Sequence, residues 1–162
     1  MALEKRTLDK IGRQAINLTE SMSWGKSKEG WLHGVVLGLL EAKSGKMTTE
    51  HNVRHGRIDL RQGGSNPTVI ELVVRSSSGN TLYASQNRKE LRKLTQMPQS
   101  KAKRRFLLLL DLGWSEPISK ATLKRSYDHV RIGRGRLSSK KGVRVMYVHK
   151  EKSKSYDFLW RP

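Results

Sequence analysis

Leu3, Leu8, Ile11, Ala15, Leu18 and Met22 fall near one stripe of a helical wheel, so residues 3–22 are expected to form a helix. A linker, Ser23–Lys28, follows around Gly25. Trp31, Leu32, Val35, Val36, Leu39 and Leu40 then recur at helical spacing and predict a second, more buried helix over Lys28–Lys43, with Ser27 as its cap and Gly45 as its stop. Beyond Gly45 the period changes. Thr48–Val53 and Arg57–Arg61 read as short strands about a His55-Gly56 turn. Gln62–Pro67 is dense in turn residues, and Thr68–Arg75 (TVIELVVR) is a β-branched strand. Ser85–Met97 returns to helical spacing, with Leu91 and Leu94 inward, Arg88, Lys89, Arg92 and Lys93 outward, and Pro98 as the stop. Arg105–Leu112 (RFLLLLDL) predicts a buried strand. Pro117–Val130 predicts a helix with proline near its start. Val143–His149 and Tyr156–Trp160 close the chain as two strands about a charged turn. The order α, α, β, β, β, α, β, α, β, β predicts an α/β fold, a central mixed β-sheet flanked by helices. The length of 162 residues suits a single domain, 1–162.

Charge adds what periodicity does not show. Lys and Arg number 33 against 14 Asp and Glu, a formal net charge of +19. Self-repulsion on this scale opposes the compact state, and a polyanionic partner that sheds counterions on binding accounts for it. The expected partner is therefore nucleic acid. An anionic membrane surface fits less well, because no basic amphipathic helix dominates and the cations run along the whole chain. The apolar runs Gly34–Leu40 and Phe106–Leu110 are too short to span a bilayer. The absence of cysteine excludes disulfides, thiolate metal sites and cysteine nucleophiles. The opening MALEKRTLDKIGRQ is charged throughout and lacks the apolar segment of a secretory leader, so a cytoplasmic location is expected.

Two acids occupy positions where a strand buries its side chains: Asp59 in RIDL, and Glu71 in VIELVV. A carboxylate among Val, Ile and Leu is costly unless a cation compensates it. Two on neighbouring strands make half of a site for a hard divalent ion. The other reading, in which each acid pairs with Arg57, Arg61 or Arg75 as a partly buried bridge, stays open.

On these residues the chain resembles the PD-(D/E)XK nuclease superfamily, whose core runs helix with Glu, strand ending in Asp, strand bearing Glu-X-Lys, helix, strand. Here the helix from Glu29 (EGWLHGVVLGLLEA), RIDL, TVIELVV, SQNRKELRKL and RFLLLLDL follow in that order over residues 28–112, with residues 113–162 as a basic C-terminal extension. The resemblance implies a restriction-endonuclease-like core and a Mg²⁺-dependent (or Mn²⁺-dependent) DNA endonuclease. In it Asp59 and Glu71 hold the metal, Glu29 is a further ligand, and Gln86 lies near the site. One position departs: Val73 stands where the family carries its lysine. Arg75, on the same strand face, or Lys89 or Lys93 from the following helix, are the cations that can replace it. A non-catalytic DNA- or RNA-binding protein on the same scaffold is the alternative. DNA is expected before RNA, and a homodimer stays open.

Phosphate contacts are expected from Arg54, Arg57 and Lys93, and from Arg131, Arg134, Arg136, Lys140 and Lys141 in the basic glycine-containing loop RIGRGRLSSKKG. His51 and His55 are four apart on a strand and turn, a poor zinc pair. Trp31 belongs to a helical stripe and is expected in the core, while Trp24 and Trp114 fall in loops.

Overall fold

The computed structural model describes residues 5–20, 28–53, 56–76, 79–113, 116–133 and 141–162. In chain order its elements are α1 (Lys5–Glu20), α2 (Lys28–Ser44), β1 (Met47–Val53), β2 (Gly56–Gln62), β3 (Thr68–Arg75), α3 (Arg88–Gln96), β4 (Arg104–Asp111), α4 (Lys120–His129), β5 (Val143–His149) and β6 (Tyr156–Trp160). Their order is the one the periodicity predicts. Helix α3 starts later than expected because the preceding turn is held another way. The Asn87 side-chain amide donates to the carbonyls of Thr81 and Tyr83 and to the Tyr127 hydroxyl. Helix α4 also starts late, at Lys120, where the Ser119 hydroxyl accepts the Thr122 N–H at 3.2 Å and caps the first turn.

The six strands lie side by side in chain order in one mixed sheet. β1, β2 and β3 form an antiparallel meander, β3, β4 and β5 run parallel, and β6 returns antiparallel. Parallel neighbours need a crossover, and α3 and α4 supply the two. Strand residues alternate between faces, so β3 and β4, buried at almost every position, require cover on both. One face packs against α1 and α2 through Leu8, Ile11, Ile16, Leu32, Val36 and Leu40. The other packs against α3 and α4 through Leu91, Leu94, Leu123 and Tyr127. Gly12 sets the approach of α1. A Cβ there would lie 3.0 Å from Val148 Cγ2 and 3.2 Å from Leu110 Cδ2, so a larger residue would push the helix off the sheet.

Residues 113–162 are more than an appended extension. They supply α4, β5 and β6, and β5 is paired on both sides within the sheet. Trp31 is 38% exposed rather than in the core. Helix α2 buries Leu32, Val36 and Leu40, and Trp31 falls on its outer side. Trp24 and Trp114 lie outside the described residues. Among the described residues, no helix is long and apolar enough to cross a membrane.

Candidate active site

Glu71 sits midway along β3 and is 1% exposed. A carboxylate so buried requires compensation, and a lysine provides it. Lys93 of α3 donates from Nζ to Glu71 Oε2 at 2.7 Å and to the Arg57 carbonyl at 2.8 Å. Lys93 is itself buried, not outward with Arg88, Lys89 and Arg92, and of the cations expected to replace the lysine absent at Val73 it is the one that reaches Glu71. Its aliphatic stem packs past Gly56, where the backbone has φ +134° and a Cβ would come within 3.3 Å of Lys93 Cδ. Glycine at this position thus satisfies both an unusual backbone angle and the close passage of the lysine.

Asp59 reaches Glu71 because β2 leaves the regular ladder. The β2–β3 pairing runs over Leu60↔Ile70, Arg61↔Val69 and Gln62↔Thr68. Further along β3 the Leu72 N–H donates to Asp59 Oδ2 at 2.8 Å, so a side chain takes a backbone donor. Residues two apart on a flat strand share a face. Leu60 lies in the core under α1 and α2, whereas Ile58 lies in the core under α3, so β2 turns over at Asp59 between them. The half-buried Asp59 lies close enough to Glu71 for its charge to bear on that carboxyl. Burial, and then the adjacent Asp59 charge, push the Glu71 carboxyl up to about 8 against the opposing pull of Lys93. Glu71 Oε1 is buried without a hydrogen-bond partner. A proton shared with Asp59, or a cation between the two carboxylates, would satisfy it.

Arg75 shares a strand face with Glu71 but is engaged elsewhere. It forms a two-pronged pair with Asp111, its neighbour across the β3–β4 ladder, with Nε donating to Oδ1 at 2.7 Å and Nη2 to Oδ2. The Tyr147 hydroxyl and the Gly113 N–H also donate to this carboxylate. The cation beside Glu71 is therefore Lys93, and Asp111, bonded to Arg75 and Tyr147, ties together β3, β4 and β5. Asp111→Ala would leave the buried guanidinium unpaired. Urea unfolding is expected to show a loss of about 3 kcal/mol. Stability within about 0.5 kcal/mol of the parent, the range of an ordinary surface change, would contradict this role.

The remaining expected site residues are spread more widely. Lys89 is exposed one turn before Lys93, with its Cε near Gly56. Gln86 is exposed in the turn before α3. Glu29 lies in the first turn of α2, and its side chain is outside the described residues. The exposed Arg57 contributes its carbonyl to Lys93. Arg131 donates to the carbonyls of Asp128 and Val130 at the end of α4, and its own carbonyl accepts from Arg88. Lys141 is exposed, while Arg54, His55, Arg134, Arg136 and Lys140 lie outside the described residues. Sequence reasoning passed over Asp111. An acid closing an otherwise apolar strand is a signal that would have found it.

Asp59 and Glu71 offer only oxygen donors, one of them unpartnered and buried, and this fits a hard divalent ion better than zinc. Among the described residues, no group of three His, Asp or Glu side chains forms a complete metal cage. No family model matches the chain, and neither a curated protein nor a solved structure is significantly similar to it.

Proposed function

We propose that the protein is a divalent-metal-dependent nuclease that hydrolyses phosphodiester bonds in DNA on a restriction-endonuclease-like core. The observation that carries this reading is the buried Glu71–Lys93 pair with the half-buried Asp59 beside it, in a chain of net charge +19. Support comes also from the succession of α2, the β1–β2–β3 meander, α3 and a parallel β4. This is the order that the PD-(D/E)XK resemblance implies, and Lys93 would bring an ammonium to the carboxylates in place of the lysine absent at Val73. Asp59 and Glu71 would hold Mg²⁺ or Mn²⁺. When bound, such an ion supplies a Lewis acid and lowers the pKa of its water. Lys93 has three N–H donors and spends two on Glu71 and the Arg57 carbonyl. The third offsets the negative charge that gathers on the phosphate oxygens. Lys89, exposed beside Gly56, would hold an adjacent phosphate.

The Glu71–Lys93 ion pair also suits a second reading, a nucleic-acid-binding protein without chemistry, since paired buried charges need no metal. Supercoiled plasmid and single-stranded DNA incubated with the protein and Mg²⁺ or Mn²⁺ separate the two. Cleavage is expected. Glu71 must also lose its proton to bind a cation. Mg²⁺ affinity, read by calorimetry, is therefore expected to rise about tenfold per pH unit below about 8 and then level off. No cleavage, together with no binding of either metal, would select the non-catalytic reading.

A further inference from the structure

Lys5 and Arg6 of α1, Lys103, Arg104 and Arg105 around the start of β4, and Arg144 near the start of β5 line one open cleft of about 510 Å³, completed by Phe106, Gly142 and Leu159. Five cationic side chains, Lys5, Arg6, Lys103, Arg104 and Arg144, gather there, Arg105 lining it without its guanidinium, and among the described residues no carboxylate is in the lining. Like charges gathered from separate elements oppose folding, and no hydrophobic requirement of the core brings them together. Asp157 orients two of them, pairing with Lys5 and with Arg144. The wall is firmly held. The N–H groups of Lys103 and Arg104 both donate to the Pro67 carbonyl, at 2.8 and 3.2 Å. The Arg105 guanidinium donates to the carbonyls of Leu94 and Met97 and so closes the end of α3. At Gly142 a Cβ would lie 2.3 Å from the Trp160 carbonyl oxygen, so the chain lies flat against β6 and leaves the cleft open.

We propose that this cleft is a second anchoring site for the sugar-phosphate backbone of nucleic acid, separate from the Asp59–Glu71–Lys93 site. Phe106 belongs to the core under α1 and α2, whereas Lys93 reaches Glu71 from α3 on the other face of the sheet. The two sites therefore engage different phosphates, and the cleft holds a flanking length of strand. Contacts from these cations to phosphate oxygens carry no sequence information, so the grip on the backbone is independent of sequence. The inference rests on the nucleic-acid part of the proposed function and not on the chemistry.

The test uses the full chain and the paired change Arg6→Gln/Lys103→Gln, two exposed positions, against a charge-matched control, Lys124→Gln/Arg125→Gln, on the exposed side of α4. Thermal unfolding confirms that both variants fold. Fluorescence anisotropy with labelled duplexes of two unrelated sequences, across a salt series, is expected to show the log–log salt slope flattened by about 2 for the cleft pair. The loss should be the same for both sequences, and the control slope should be unchanged. Equal flattening by both pairs would assign the effect to net charge and overturn the cleft. An unaltered cleft pair beside a wild type that binds would overturn the cleft alone. A wild type that binds no duplex would overturn the nucleic-acid reading with it. A wild type saturated by inorganic phosphate that duplex cannot displace would make the cleft a free-anion site and overturn the proposal.

Discussion

Glu71→Gln is expected to lower Mg²⁺-dependent cleavage by about 10²- to 10³-fold while leaving affinity for DNA intact or higher. The substitution keeps the carbonyl that Lys93 donates to and removes the charge a divalent ion would need. Duplex affinity holds because the lost negative charge opposes phosphate. Stability supplies an independent readout with a fixed sign. The folded carboxyl titrates at about 8 and the ordinary value is 4.5, so the native state binds the proton more tightly than the unfolded chain. The stabilisation is fully present below pH 4.5 and is lost as pH rises towards about 8. Metal-free wild type is therefore expected to lose up to about 1.4 kcal/mol per pH unit over that window. The Gln variant lacks the group and loses that component of the slope. A purely structural ion pair predicts otherwise: the variant would be weaker by about 3–5 kcal/mol with the pair broken, whether or not metal is present. Urea midpoints and cleavage rates on the same two proteins decide. Unaltered cleavage by the variant would remove Glu71 from the chemistry.

Much of the architecture was legible because its signals are local. The β-branched run TVIELVVR has the bounds of β3, and Val143–His149 and Tyr156–Trp160 have those of β5 and β6. Asp59 and Glu71 stood out because an acid inside an apolar strand is costly wherever the strand lies. Their partners were less legible. Lys93 follows the outward pattern of a helix whose apolar stripe is Leu91 and Leu94. It reaches inward only because its stem runs past Gly56, on a different element 37 residues earlier in the numbering. The pairing of Arg75 with Asp111 depends on the register of two parallel strands joined through α3, and hydrophobic patterning does not specify that register. The turnover of β2 at Asp59 is likewise a tertiary event, since the strand pattern of RIDL alone places Ile58 and Leu60 on one face. The basic cleft was invisible for a similar reason. Its cations are separated by as much as the distance from Lys5 to Arg144 along the chain, and only the sheet brings them to one edge.

The sign of the overall field leads to the second large effect. Affinity for duplex DNA is expected to fall about 10³-fold between 50 and 200 mM salt, a log–log slope of about −5, as for a protein that neutralises about six phosphates. A net charge of +19 makes so large a footprint available. The distribution of the described cations says where part of it lies. Lys89 is exposed beside Gly56, Lys93 stands beside Glu71, and Lys5, Arg6, Lys103, Arg104 and Arg144 lie on the opposite side of the sheet. Removing Arg6 and Lys103 takes away about two of the phosphate contacts and should leave a slope near −3. Glu71→Gln should leave the slope unchanged, because Glu71 is buried beside Lys93 and carries none of the exposed positive field. The two variants thus separate binding from chemistry: one loses salt dependence and keeps the site, the other loses cleavage and keeps the salt dependence. A wild-type slope near zero, measured by anisotropy over this range, would mean that the positive charge does not meet phosphate at all, and no arrangement of Asp59, Glu71 and Lys93 would then rescue a nuclease.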